Sequence, residues 1–394
     1  MKNLETLIQE LCPDGVEFVK LGDVCEIKTG KGITQKDCSE SSKYPVYSGG
    51  KEPMGYYKEF NRNANSVTVS RVGAYAGFVN YVTEDFYLND KCFSVLPKKD
   101  EDINSKYLYY KLKALECSII NMQSGGGVPT INTKKVGSLE IPLPPIEVQT
   151  EIVRILDKFT SLEAELEAEL DCRKRQYEYY RDKLLSFDNV GGQEVEWKKM
   201  SEVGTFIRGN GLQKKDFTEE GVGCIHYGQL YTHYGTSATE TITYCSSELA
   251  KKLRKAEKGD IVIATTSENV EDVCKAVAWL GEEEIAVSGD AFIYKHTQNP
   301  KYMAYLFQTA SFFNYKKKKA TGTKVIRLTG EAMGNYLAPI PSLEEQHRII
   351  SILDRFEFLT TSLQSGLPAE IAARRQQYEH YRDKLLTFKR KGAA

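Results

Sequence analysis

The sequence predicts an α+β protein. Two mixed α/β domains are separated by two long helices that form an antiparallel coiled coil, with an internal pseudo-two-fold, circular symmetry. Three observations carry this. The string Gln-Tyr-Glu-x-Tyr-Arg-Asp-Lys-Leu-Leu-x-Phe occurs twice, at 176–187 and at 377–388. Each copy closes a long stretch of helical periodicity that comes after a proline-rich strand exit, Ile141-Pro142-Leu143-Pro144-Pro145 in one case and Pro339-Ile340-Pro341-Ser342 in the other. The starts of the halves also match, Val16-Glu17-Phe18 with Val195-Glu196-Trp197 and Gly30-Lys31-Gly32-Ile33 with Gly209-Asn210-Gly211-Leu212. A chain of 394 residues has room for two or three domains. The expected divisions are 1–145, 146–190, 191–342 and 343–390.

At the N-terminus, Leu4, Leu7, Ile8 and Leu11 fall on one helical face just before Val16. They hold the place that Leu184, Leu185 and Phe187 hold before Val195, so this stub is expected beside the end of the second long helix. The domains between the anchors read as strand-rich. Ser66-Val67-Thr68-Val69, Cys92-Phe93-Ser94-Val95, Asp260-Ile261-Val262-Ile263 and Ala291-Phe292-Ile293-Tyr294 are short runs bounded by turn residues. Lys106-Tyr107-Leu108-Tyr109-Tyr110 and Lys301-Tyr302-Met303-Ala304-Tyr305 open helical stretches.

From Glu147 the apolar residues fall at Ile152, Ile155, Leu156, Phe159, Leu162, Leu166, Leu170, Tyr177, Tyr180, Leu184 and Phe187, mostly three or four apart. A helix over 147–187 would be roughly 60 Å long. It has no core of its own, and the nearest partner is its repeat at 344–388. Leu156 and Phe159 match Leu353 and Phe356, whereas Tyr177 and Phe187 match Tyr378 and Phe388 with four more residues between. Four residues is close to one turn, so the buried face rotates little. Ser365-Gly366-Leu367-Pro368 is expected to kink the second helix, because proline removes a hydrogen bond and clashes with the preceding turn.

A hydrophobic fraction of 41% and a charged fraction of 27% are those of an ordinary soluble protein. No apolar run approaches 18 residues, and no apolar core comes after Lys2, so neither a membrane span nor a secretory signal is expected. The nine cysteines are scattered without Cys-x-x-Cys, which fits free thiols in a reducing cytoplasm. Net charge is −1, yet Lys316-Lys317-Lys318-Lys319 is a basic block and Glu163, Glu165, Glu167 and Glu169 an acidic one. A near-neutral total can hide a basic face. The five histidines have no metal-ligand spacing. Asp14, Glu17 and Lys20 only faintly suggest a nuclease triad, and no Asn-Pro-Pro-Tyr-like methyltransferase motif is present.

The segment from Leu162 to Phe187, with its tandem Glu-Ala-Glu-Leu units, closely resembles the central helix of type I restriction–modification DNA specificity subunits, in the subclass with tetrapeptide repeats. The Ile-Pro-Leu-Pro-Pro…Gln…Ile…Ile-Leu-Asp entry at 141–157 is similar too. The likeness covers the whole chain as recognition domain, helix, recognition domain, helix. It implies a non-catalytic, cytoplasmic subunit that reads a split, asymmetric sequence in double-stranded DNA, one part per domain. The helices would set the gap and dock two methyltransferase subunits, and restriction-translocase subunits would join that core. No cofactor or metal is expected in this chain, since S-adenosylmethionine, ATP and Mg2+ would be used by the partners. Two rivals stay open: a stand-alone DNA-binding regulator acting as an intramolecular dimer, and a coiled-coil scaffold without a DNA role.

Candidate DNA contacts come from residue chemistry. Arg71, with Tyr75, lies in a glycine-bearing loop after a β run, and arginine reaches guanine O6 and N7 in a bidentate contact. Tyr47 and Ser48 precede Gly49-Gly50, where hydroxyls could meet phosphate. Lys31, Lys36, Lys214 and Lys215 lie in matched glycine loops and could neutralise phosphate. Gln229, Tyr231 and His233 come after one strand of the second domain, and Thr266, Ser267 and Asn269 occupy the place of the Arg71 loop. Lys316, Lys317 and Lys324 are candidate backbone clamps. Partner-docking candidates on the helices are Arg154, Arg173, Lys174, Tyr177, Tyr180 and Arg181, with Arg348, Arg374, Tyr378, Tyr381 and Arg382. Each has a plainer alternative as a turn residue, core tyrosine or solvated charge.

Overall fold

In the computed structural model, which describes residues 4–124, 127–187, 195–362 and 365–392, the chain divides inside its longest helix. One compact unit holds Met1–Glu167 with Glu370–Ala394, the other Ala168–Ala369. The continuous 41-residue helix Ile146–Ser186 contributes its first part to one unit and its second part to the other.

The first unit is built on a four-stranded antiparallel sheet in the order Cys25–Thr29, Cys92–Pro97, Ser66–Ser70, Val79–Val82. Ser66–Ser70 is buried at all five positions, so its β-branched run lacks polar alternation. A ribbon pairs Glu17–Lys20 with Glu140–Leu143. The helix Ser105–Ala114 starts on Asn104, whose side chain accepts from the backbone N–H groups of Lys106 and Tyr107. The N-terminal helix Leu4–Leu11 joins this core through Leu4, with Leu7 and Ile8 packed on the cluster that also holds Leu386.

The second unit repeats the frame around a larger insert. Its main sheet runs Gly204–Arg208, Ala291–His296, Ile261–Ala264, Ala276–Trp279, Ser237–Ala238. A ribbon pairs Glu196–Lys199 with Leu337–Ile340. A second five-stranded sheet, Phe217–Thr218, Thr243–Cys245, Val222–Ile225, Ile285–Val287 and Lys255–Ala256, replaces the three short strands Tyr56–Tyr57, Tyr44–Tyr47 and Tyr87–Leu88 of the first unit.

The duplication extends to single hydrogen bonds. Tyr107 donates to the carbonyl of Pro142 at 3.0 Å, and Tyr302 to that of Pro339 at 2.9 Å. Tyr110 donates to Asp157 at 2.6 Å, and Tyr305 to Asp354 at 2.8 Å. Lys106 pairs with Asp157 as Lys301 pairs with Asp354. Gln149 and Gln346, both fully buried, accept from the N–H of Asn104 and Asn299 and donate to the carbonyls of Pro144 and Pro341. These glutamines lock the strand exit onto the long helix and onto the cap of the domain helix. Gln149→Ala strands the part-buried N–H of Asn104 and the buried carbonyl of Pro144, the kind of loss that costs about 1–3 kcal/mol per buried group. Urea unfolding is expected to show a loss of at least ~2 kcal/mol; an unchanged midpoint refutes the locking role.

The long helices pair within each unit. In the first, Phe159 stacks on Tyr381 at 5.4 Å, and Glu163 and Glu167 form ion pairs with Arg375. The numbering rises along one helix as it falls along the other, so the pairing is antiparallel. In the second, Tyr180 stacks on Phe356 at 5.8 Å. Phe159 corresponds to Phe356 and Tyr381 to Tyr180, so one stacked pair appears twice with its helices exchanged. The second long stretch is interrupted, not merely kinked: it forms Leu343–Thr361 and Leu367–Leu385. A Cβ at Gly366 would lie 2.8 Å from the carbonyl oxygen of Phe358, and Pro368 cannot extend the preceding helix. Among the described residues no helix is long and apolar enough to cross a membrane.

Candidate nucleic-acid interface

In the first unit, four segments meet at one end of the four-stranded sheet. The backbone N–H of Arg71 donates to the carbonyl of Lys91 at 2.8 Å, and the carbonyl of Arg71 accepts from Ile131 at 2.8 Å. Gly73 donates to Pro129, Asn89 to Tyr47, and the Ser70 hydroxyl to the carbonyl of Gly50. Arg71 therefore has a fixed backbone and a half-exposed side chain. Its only side-chain bond among the described residues is a long one of 3.3 Å to the carbonyl of Asp90, which leaves most guanidinium donors available. Tyr75 is 48% exposed, with the ammonium of Lys51 5.3 Å from its ring. Lys31 and Lys36 are exposed and Ser48 is half-buried.

Tyr47 is half-buried: its ring stands edge-on to Phe86 at 5.6 Å and packs on a small core, where burial pushes its phenol up. The matched glycines also serve packing. A Cβ at Gly30 would lie 2.1 Å from the carbonyl oxygen of Leu88, and one at Gly209 2.2 Å from that of Ser288. These loops need glycine because backbone lies on backbone.

The second unit has the same junction with other side chains. Thr265 donates to the carbonyl of Asp290 as Arg71 does to Lys91, and its carbonyl accepts from Leu328 as that of Arg71 does from Ile131. Thr266 pairs with Arg327 and Ser267 with Ile326. His233, Lys214, Lys215, Lys317 and Lys324 are exposed. Ser267 is half-buried, and exposed Asn269 is tied to Asp272 in both directions at 2.7 Å.

Four candidates there have structural duties. Gln229 accepts from the N–H of His226 and donates to Thr243. Tyr231 donates its hydroxyl to the carbonyl of Thr266 at 2.8 Å, and burial pushes its phenol up. Thr266 is 6% exposed. Lys316 is buried, and its ammonium donates to the carbonyls of Glu271 and Val273 at 2.7 Å each. Desolvation lowers its pKa, and two carbonyls hold the charge in place. The basic block is thus one buried clamp and then three exposed lysines.

Replacing Lys317, Lys318 and Lys319 together by alanine is expected to leave the fold intact and weaken DNA binding. The slope of log K against log salt should shrink by up to about 3. An unchanged slope removes this helix end from the interface. Lys51, Lys91 and Arg327 stand beside the junctions; in the sequence Arg327 is notable only as a basic residue after the Lys316–Lys319 block, and nothing marks out Lys51 or Lys91. The place of Arg327 beside the junction shows only through its register with Thr266.

A family profile described as type I restriction modification DNA specificity domain matches the chain twice, over residues 13–171 and 193–373. The chain belongs to that family. It is 30% identical over 405 residues to the type I restriction enzyme EcoR124I/EcoR124II specificity subunit of Escherichia coli, covering 98% of this chain and 97% of that one. Two solved structures share the fold. The type I restriction–modification system S subunit from M. genitalium has 17% identity and a TM-score of 0.56, over 94% of this chain and 96% of that one. A chain from a structure describing complex assembly and conformational transition of the type I R-M system has 18% identity and a TM-score of 0.58, over 94% and 97%.

Within this specificity-domain frame, the helix candidates fall into two sets. Tyr177 and Tyr378 pack on the cores of their own units, capped by Arg181 at 5.6 Å and Arg382 at 5.7 Å. Those arginines also pair with Asp182 and Asp383. All four side chains therefore have internal packing partners. Arg154, Arg173, Arg348 and Arg374 make ion pairs with Glu151, Glu169, Glu345 and Glu370 along their own helices, and their side chains remain 42–56% exposed. Lys174 is exposed. Tyr180 and Tyr381, each 38% exposed, stack inward on one face. Tyr179, 61% exposed, is a larger apolar surface than either. No group of three or more His, Cys, Asp or Glu side chains among the described residues could hold a metal.

Proposed function

We propose that the chain is the DNA-reading subunit of a type I restriction–modification complex. Each recognition domain takes one part of a bipartite, asymmetric target. The long helices set the unread gap and dock two methyltransferase subunits, and restriction-translocase subunits join that core in the cytoplasm. The chain itself is non-catalytic; S-adenosylmethionine, ATP and Mg2+ belong to the partners. One observation carries this reading: the same backbone junction occurs in both units, with Arg71 in one and Thr265 in the other. A frame kept constant while its exposed loops differ is the arrangement expected where loops specify different bases and the scaffold does not.

Methylome sequencing of cells carrying the complete complex tests it. The expected result is one split motif of two unlike tracts separated by a fixed number of unread base pairs. A continuous motif, or a palindromic one, would count against the proposal. The rival of a stand-alone regulator is distinguished by co-purification, since it would travel without methyltransferase subunits.

A further inference from the structure

We propose that Glu268 reads a base. Its carboxylate accepts a hydrogen bond from an exocyclic amine, adenine N6 or cytosine N4, on the major-groove edge of the tract taken by the second domain. This rests on the proposed function, in which both junctions face DNA.

Glu268 stands three residues beyond Thr265 and is exposed. Among the described residues it has no hydrogen-bond or ion-pair partner. Of the acidic residues nearby, Asp272 is engaged by Asn269 and Asp290 by Arg208 at 3.7 Å, while exposed Glu271 does not line the cleft that Glu268 lines. A free carboxylate on a surface that meets phosphate weakens sequence-independent binding. It is compatible with tight binding only where it meets a donor, and in the major groove the donors are the amines of adenine and cytosine. Guanine and thymine present acceptors there, so the same carboxylate repels them.

The surroundings fit a base edge. Glu268 lines a cleft of about 440 Å³ together with Tyr227, Tyr231, Ser267 and Val325. Thr266 lines it too; its Oγ1 is buried and has no hydrogen-bond partner among the described residues. Val325, 45% exposed, is an apolar wall, and its neighbour Lys324 is exposed. The loop carrying both is pinned by reciprocal bonds between Thr321 and Arg327 at 2.9 and 2.8 Å.

The test is selection from a pool of randomised duplexes by the full chain in complex with its methyltransferase subunits, wild type beside Glu268→Gln and Glu268→Ala. Wild type is expected to demand adenine or cytosine at one position of the second tract. Both variants should lose that demand about tenfold while every other position holds. Duplexes with purine in place of adenine, or 2-pyrimidinone in place of cytosine, then identify the amine: the one that weakens wild type but not Glu268→Ala names it. Unchanged selection by both variants overturns the assignment, and so does relaxation at a base pair where removing the exocyclic amine, with purine for adenine or 2-pyrimidinone for cytosine, leaves wild-type binding unchanged. If wild type selects no split sequence, the parent reading falls and this one with it.

Discussion

Arg71→Ala is expected to lower methylation of the split target about five- to 150-fold by relaxing the first tract, while the base preferences of the second tract stay as they were. A bidentate arginine–guanine contact discriminates by about 1–3 kcal/mol, roughly five- to 150-fold. The substitution is clean. The backbone of Arg71 is held by Lys91 and Ile131, and these bonds do not involve the side chain. The single side-chain bond that is lost, to the carbonyl of Asp90, is long and partly exposed. Folding should be unaffected, and weak binding to unrelated duplex should fall only by one phosphate-sized charge effect. Wild-type methylation and a wild-type motif in the variant would remove Arg71 from the reading surface. Loss of both tracts together would indicate damage to the unit, which an unfolding curve would show.

The frame was legible in the sequence because it is repeated. Helical periodicity from Glu147, the proline-rich strand exits and the twin Tyr-Arg-Asp-Lys strings each signal an element, and the second copy checks the first. The buried strands at 66–70 and 261–264 could be read from β-branched runs. Two features were not fully visible. The break between Leu343–Thr361 and Leu367–Leu385 was legible only as a kink at Ser365-Gly366-Leu367-Pro368; Gly366 packs against three carbonyl oxygens, those of Phe358, Leu359 and Ser362, which periodicity does not record. The division of the chain within Ile146–Ser186 depends on which residues touch in space.

Side-chain duties were the least legible. Lys316 and Lys317 are adjacent and identical in type, yet one is a buried clamp and the other a surface cation. Gln229 and Tyr231 have the chemistry for base contacts, but they spend it on His226, Thr243 and the carbonyl of Thr266. Hydrogen-bonding capacity is a property of the residue type. Whether it is already used is a property of the fold.

Deletion of residues 163–166 is expected to shorten the unread gap by one or two base pairs and leave both recognised tracts unchanged. Four residues remove about 6 Å of helix and rotate the remainder of that helix by only about 40°. The deleted Glu163-Ala164-Glu165-Leu166 directly precedes Glu167-Ala168-Glu169-Leu170-Asp171, so the next unit slides into its place. Glu167 takes the position of Glu163 and Asp171 that of Glu167. Arg375, which pairs with both glutamates, therefore meets two carboxylates again. Leu170 replaces Leu166 on the same helix face. The local cost is small because these ion pairs are at least half-exposed on the arginine side, where such contacts contribute little. Methylome sequencing of the variant reads the outcome directly. Full activity with an unchanged gap would show that the spacing is set elsewhere in the chain. A shorter gap with the same two tracts would assign the spacing to helix length and the base preferences to the loops, so that each could be altered without the other.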